Sequence, residues 1–438
     1  MEEYIKKLLE QIRFQKAHKA IEDEIRLHIE DQIKENISGG MDKETAEKKA
    51  VEDMGDPVDA GIALDKVHRP HVAVGVIVIA LVSTVIGTIV NVLLSNIYTS
   101  YSLDIWNPNR MPLRGSKLYI YNAIFGIIVM LILYFIDYTT VARYSVVAAI
   151  AVLIATVVGN IFGWTGSLAF LMIPLFAGIL YKYREQKYRA LTYSLLWIIA
   201  TGVIASRQEM RIRAVIIVIC MLVELTFAIK NEWLKVPKIP VLVSVWVLFT
   251  VFPAGIIWFL YKNRLMSLYQ CNVIRTWFIP DNDMKQARGI IKGMSIIGSG
   301  IISYEGGGFT STESTSNCVR NMYGGEYVLT DMMAMWGLLA ALVAVTVVSG
   351  LIVYGFVTVS KTKNQLGLVM GSGCMMWLTI NAIYNAGVGV GLLKINNQSF
   401  FPFLSARQLV ASYAILGIIL SIYKYKNAYS KHVDISRV

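Results

Sequence analysis

The chain has 438 residues, of which 55% are hydrophobic and only 16% charged. Soluble globular proteins carry roughly 25% charged residues, so a soluble multidomain enzyme and a disordered chain are both excluded, and repeated membrane spans are expected. The charge is split: residues 1–70 hold 12 basic and 17 acidic groups (net −5), whereas the other 368 hold 29 and 13 (net +16).

The first 70 residues read as a small helical domain on the cytoplasmic side. Ile21, Ile25, Ile29, Ile33 and Ile37 recur every four residues and make one apolar helix face. Gly39-Gly40 ends that helix and Asp42 caps the next. Gly55-Asp56-Pro57 is a stop followed by a start, with Pro at the first helical position. The run "EDEIRLHIEDQIKENISGGMDKETAEKKAVEDMGDP" resembles the bacterial permease prefix domain, a module found ahead of unrelated membrane proteins. His18, His28 and His68 have no metal-ligand spacing and read as structural or solvated. The polar, amphipathic start shows no signal-peptide pattern before the first apolar run near His71.

Residues 71–430 contain ten long apolar segments, roughly 72–97, 118–136, 142–161, 166–182, 190–206, 211–230, 238–261, 331–359, 366–393 and 404–424. Each approaches the ~20 residues that cross the hydrocarbon. The predicted fold class is an all-α polytopic membrane protein of about ten transmembrane helices. Four short basic loops, 181–189, 230–238, 361–363 and 423–432, fall on the side of the head. The positive-inside rule therefore makes both termini, including the tail 431–438, cytoplasmic. One stretch pulls the other way: "SRQEMRIR" (206–213) places three arginines on the far face. No zinc spacing or aromatic-basic motif points to nucleic acid.

The longest connection, 262–330, becomes a large external loop between helices seven and eight. It holds the apolar stretch "GIIKGMSIIGSGII" (289–302), expected as a half-membrane or interfacial helix, and the Gly/Ser/Thr run 304–317. Long structured loops usually carry function. Cys271 and Cys318 share this loop and are free to pair, whereas Cys220 and Cys374 sit in apolar runs as packing residues. Asn381 and Asn385 lie one helical turn apart in the ninth segment, where helix–helix glue and a lipid-substrate groove are both open readings. Trp106, Trp233, Trp258 and Trp277 stand near segment ends, as an aromatic belt does.

Five motifs in order give this architecture a family resemblance. "YQCNVIRTWFIPDND" (269–283), "IGSG" (297–300), "EYVLTDMMAMWGLLAALV" (326–343), "INAIYNAGVGVGLLK" (380–394) and "FPFLSARQLVASYAILGIILSI" (401–422) resemble the SEDS family (shape, elongation, division and sporulation), the FtsW/RodA/SpoVE proteins. The resemblance covers about 190 residues, and the earlier spans only by topology. Departures are plain. Glu326 stands five residues before Asp331 instead of four, with no Pro before it. "ARGIIKG" (287–293), "KINN" (394–397) and "SARQLV" (405–410) replace family stretches, the loop arginine is displaced to Arg275, and the external "QPDLG" is at best "RQEMR" (207–211).

The resemblance implies a peptidoglycan glycosyltransferase of the bacterial cytoplasmic membrane. It would polymerise lipid II at the outer face, in elongation, division or sporulation, with a class B penicillin-binding protein as transpeptidase partner. Asp331, of the Thr330-Asp331 pair, matches the family's essential aspartate and is the general-base candidate. A helix cap is the alternative for the same side chain. The pyrophosphate leaving group calls for cations: Arg288, Lys292 and Arg320 lie in the loop, and Arg207, Arg211 and Arg213 on the same face. Glu209 and Glu326 are candidate cation or sugar ligands. A divalent cation, magnesium or manganese, fits the pyrophosphate chemistry, with no ligand set visible. Two other readings stay open. One is an inactive SEDS-like scaffold or regulator of envelope assembly, favoured by the altered stretches. The other is a lipid-linked precursor transporter, against which no paired broken helices are visible. The head is expected to contact a partner or the inner loops, and its deletion to leave insertion and outer-face chemistry intact.

Overall fold

A computed structural model describes residues 1–102, 113–162, 168–206, 211–267, 271, 282–293, 296–297, 328–393 and 401–429. The head is four helices: α1 (Glu2–Glu10), α2 (Gln15–Ser38), α3 (Lys43–Asp53) and α4 (Pro57–His68). The expected punctuation holds. The Asp42 carboxylate accepts from the Thr45 N–H at 3.1 Å and the Asp56 carboxylate from the Val58 N–H at 2.9 Å. Gly55 takes the positive φ of +75° that lets α3 stop. Tyr4, Ile5, Leu8, Ile12, Ile21, Ile29 and Ala50 form the head's own core. Of the five-isoleucine stripe, Ile21 and Ile29 are buried but Ile37 is 43% exposed, because α2 outruns the helices that cover it.

The body is helical throughout its described residues: α5 (Val74–Ser102), α6 (Leu113–Phe135), α7 (Tyr138–Arg143), α8 (Ser145–Ile161), α9 (Met172–Lys182), α10 (Lys187–Ser206), α11 (Arg211–Lys230), α12 (Lys238–Lys262), α13 (Asn282–Gly293), α14 (Val328–Trp336), α15 (Leu338–Ser360), α16 (Gln365–Gly389) and α17 (Leu409–Lys424). Among the described residues, seven helices are long and apolar enough to cross a membrane, and three shorter apolar helices, 145–159, 169–182 and 409–424, complete the ten expected segments. The protein is an all-α polytopic membrane fold.

Several boundaries differ from the sequence reading, each for a local reason. The third segment starts later, because Asp137 caps a separate short helix, α7, before the chain turns at Tyr144. The eighth is broken at Gly337, whose φ of +86° re-aims the chain between α14 and α15. The tenth opens only at Leu409. Its approach is buried at 401–405 and at Gln408, and pinned: the Asn91 amide donates to the Leu404 carbonyl at 3.0 Å and the Asn122 amide to the Ala406 carbonyl at 2.9 Å. Tyr119 Oη donates to the carbonyl of Phe403, which holds a left-handed φ of +63°.

Burial separates centre from edge. For α16, 72% of its apolar window is buried inside the protein, against 11% for α12. α9 is sunk among α7, α8, α11 and α16, with every residue from Met172 to Tyr181 buried. α12 reaches its neighbours through Val241, Val245 and Trp246, while Val251, Phe252, Trp258 and Phe259 are exposed. Cys220 and Cys374 are buried as packing residues. Trp258 is exposed near a helix end, as a belt residue is. Trp233 is not one: it is buried, stacks edge-on to Tyr181 and donates its indole N–H to Gln365 Oε1 at 2.6 Å. Trp106, Trp277 and Cys318 lie outside the described residues; Cys271 is a free thiol.

Candidate functional site

The site gathers at the end of α16 that lies away from the head. Asn381 and Asn385 are both buried on α16, and each donates its amide to the carbonyl four residues earlier, Trp377 and Asn381, at 2.7 Å. These two bonds stay within one helix. Above them α16 ends in the run Ala386–Leu393.

Two carbonyls of that end hold the neighbouring elements. Thr330 Oγ1 donates to the Gly389 carbonyl at 2.9 Å, and Arg288 Nε donates to the Gly391 carbonyl at 2.8 Å. Gly391 is required here: its φ is +67°, and a Cβ would lie 2.7 Å from the Met284 carbonyl oxygen. Arg288 stands on α13, which shares 289–293 with the expected stretch 289–302, whose remainder apart from 296–297 lies outside the described residues. α13 begins seven residues earlier, at Asn282, and is amphipathic, turning Met284, Ala287 and Ile291 inward. The guanidinium beside the carbonyl end of α16 faces the negative pole of that helix.

Asp331 is next to the anchored threonine. Both are buried, Asp331 to 1% exposure. Asp331 is the fourth residue of α14, inside its first turn and not at its cap position, because the helix already starts at Val328. Leu329, Met332 and Met333 of the same short helix pack with Val90 and Leu94 of α5 and with Phe401 and Leu404. Asp331 thus stands on a short helix whose apolar side chains are packed into that cluster. Thr330 fixes the helix at one end. At the other, Gly337 donates to the Met333 carbonyl at 3.0 Å before the break.

The structure thus brings together Asp331, Thr330 and Arg288. Arg207, Glu209, Arg320 and Glu326 lie outside the described residues, as do the side chains of Arg211 and Lys292. Among the described residues no group of three His, Cys, Asp or Glu side chains converges as metal ligands. Gly389 and Gly391, which seat the site, were not singled out from the sequence; the alternating glycines of "GVGVGLL" (387–393) were their signal.

No family model and no curated protein matches the sequence. Solved structures do. A chain of a peptidoglycan synthase complex, described as coordinating polymerization and crosslinking, matches with a TM-score of 0.57 at 14% identity, over 80% of this chain and 97% of that one. Rod shape determining protein RodA of Thermus thermophilus, solved as an aspartate-to-alanine mutant, matches with a TM-score of 0.51 at 12% identity, over 81% of this chain and 98% of that one. The chain has the RodA fold. Both neighbours are covered almost whole, so this chain carries about a fifth more than the RodA fold requires. In this RodA-like body, Thr330 and Asp331 occupy the short helix just before the break at Gly337.

Thr330 gives a direct test of the site's seating. Thr330→Val keeps the shape but leaves the buried Gly389 carbonyl without its donor, a loss of about 1–3 kcal/mol. A lower melting temperature in detergent is expected for Thr330→Val, with Thr330→Ser close to wild type. Equal melting of all three proteins would show that the bond does not hold α14.

Proposed function

We propose that this chain is a SEDS-family glycosyltransferase that polymerises lipid II at the outer face of a bacterial cytoplasmic membrane. The observation that carries the reading is the buried Asp331, set beside anchored Thr330 on the broken helix of a RodA-type body. The basic loops on the head side support a cytoplasmic head and tail, which puts Asp331 on the outer side.

In this mechanism Asp331 takes the proton of the attacking sugar 4-hydroxyl. The freed oxygen pair forms the new bond to the donor's anomeric carbon. The bond from that carbon to the pyrophosphate oxygen breaks, and undecaprenyl pyrophosphate leaves with the electron pair. Apolar packing around α14 excludes water, so acid–base and ionic contacts act at low dielectric. Arg288, held through Nε, is placed to meet the pyrophosphate charge with its remaining N–H groups. The outer half of α12 stands clear of the bundle and leaves a lipid-facing flank for the undecaprenyl chain. A class B penicillin-binding protein is the proposed partner for crosslinking.

The test is glycan-strand synthesis by the purified full chain from labelled lipid II, alone and with a candidate transpeptidase, with magnesium or manganese present. Polymer formation is expected. No polymer under any of these conditions overturns the enzyme reading in favour of a scaffold. Accumulation of lipid II across vesicles without polymer would instead mark a transporter.

A further inference from the structure

Among the described residues, the head's polar and ring contacts to the body gather at the turn between α6 and α7 together with the chain that follows α17. Asp137 is the centre of it, with its side chain 3% exposed. Its Oδ1 accepts from the Thr139 N–H at 3.0 Å and the Thr139 hydroxyl at 2.9 Å. Its Oδ2 accepts from the Tyr429 hydroxyl and, at 2.7 Å, from Lys16 Nζ of the head. Burial and the neighbouring carboxylate push the Tyr429 hydroxyl well above its ordinary pKa, so it stays protonated and donates.

The rest of the contact grips the segment 424–429. Phe14 of the head stacks on Tyr425 with ring centres 5.7 Å apart, and Lys16 stands 5.1 Å over the same ring. His68 Nδ1 meets the Asn427 carbonyl at 2.6 Å, and the Asn427 amide donates to the Val67 carbonyl at 2.9 Å. The His71 N–H donates to the Lys424 carbonyl at 3.2 Å. From the other side, Ser421 of α17 donates to the Ile136 carbonyl at 2.6 Å. The turn 136–139 is therefore held by α17 on one flank and by the head on the other.

α17 leads from this grip to the active end. Tyr413 shares a hydrogen bond with Thr84 of α5 at 2.7 Å, and the approach 401–408 contributes Phe401 and Leu404 to the apolar cluster around α14. The head has its own core, and side chains rather than packed helices attach it. A self-contained domain held by one ion pair, a stacked ring and a few hydrogen bonds is a separable element.

We propose that the head is a displaceable clamp on the C-terminal end of α17, with Lys16–Asp137 as its latch, and that docking of the head tightens α17 along its length to the Phe401–Leu409 approach. This role is regulatory and independent of the reaction assigned above. It also revises the expectation that residues 1–68 are dispensable, because removing them strips the buried Asp137 of its hydrogen-bonded cation.

The test is amide hydrogen exchange on the full chain in nanodiscs, comparing wild type, Lys16→Glu and Lys16→Arg. Lys16→Glu is expected to raise exchange at 425–428 by at least about tenfold, and at 404–409 by several fold. Lys16→Arg, which keeps the cation, is expected to stay near wild type at both, which separates loss of the latch from general misfolding. Unchanged exchange at 425–428 in Lys16→Glu overturns the clamp. A rise at 425–428 with none at 404–409 overturns the transmission along α17. None of these readings needs lipid II, so they stand apart from any failure of glycan synthesis.

Discussion

Replacing Asp331 by asparagine is expected to lower glycan-strand synthesis by at least about 10²-fold and leave the fold intact. Asparagine keeps the volume of the buried side chain within the Leu329–Met333 cluster, so packing gives no reason for collapse. What it loses is the ability to take a proton. A purely structural role predicts a different pattern. Asp331 lies in the first turn of α14, where a negative charge interacting with the helix dipole contributes about 0.3–1 kcal/mol. On that account Asp331→Asn would lower the melting temperature slightly and leave turnover nearly unchanged. Single-turnover polymerisation and thermal melting, read on the same preparation, separate the two. Polymer at wild-type rate in a normally folded Asp331→Asn protein would remove Asp331 from the base role while leaving the enzyme itself standing.

The sequence showed the span count and the head's helix ends because these depend on local chemistry. Ten apolar runs, the Asp42 and Asp56 caps and the Gly55 stop each need only a few neighbouring residues to be recognised. The break at Gly337 stayed hidden because glycine in an apolar run reads equally well as a packing residue, and only its φ distinguishes the two. The seat of the site was hidden for another reason: backbone carbonyls at Gly389 and Gly391 carry no side-chain signature. Trp233 sits at a helix end as a belt residue would, yet Gln365, 132 residues away, turns it inward. The Lys16–Asp137 latch spans 121 residues and joins two stretches that are unremarkable in isolation. The Thr330-Asp331 pair was legible only through resemblance, since an Asp near a helix start has an ordinary structural explanation.

The largest stability effect is expected where α6 and α17 meet. A Cβ at Gly417 would lie 2.7 Å from the Met130 carbonyl oxygen and 3.0 Å from its Cα, atoms of the α6 backbone. A Cβ at Gly126, on α6, would lie 2.7 Å from Tyr413 Cδ2, part of a side chain on α17. The two glycines make a reciprocal close approach of the kind that holds helices together in lipid, where water exclusion offers no driving force between spans. They differ in what must yield. The Tyr413 ring can tilt if its bond to Thr84 stretches, whereas the α6 backbone moves only by parting the helices. Overpacking of this sort costs about 1–3 kcal/mol. Gly417→Ala is therefore expected to lower the melting temperature more than Gly126→Ala, and Gly417→Val to prevent recovery of folded protein from detergent. Equal losses for the two alanine variants would mean that helix separation, and not backbone contact at Gly417, sets the tolerance of this pair. A larger loss for Gly417→Ala would fix α6–α17 as the rigid spine on which both the 401–408 approach and the head's grip on 424–429 depend.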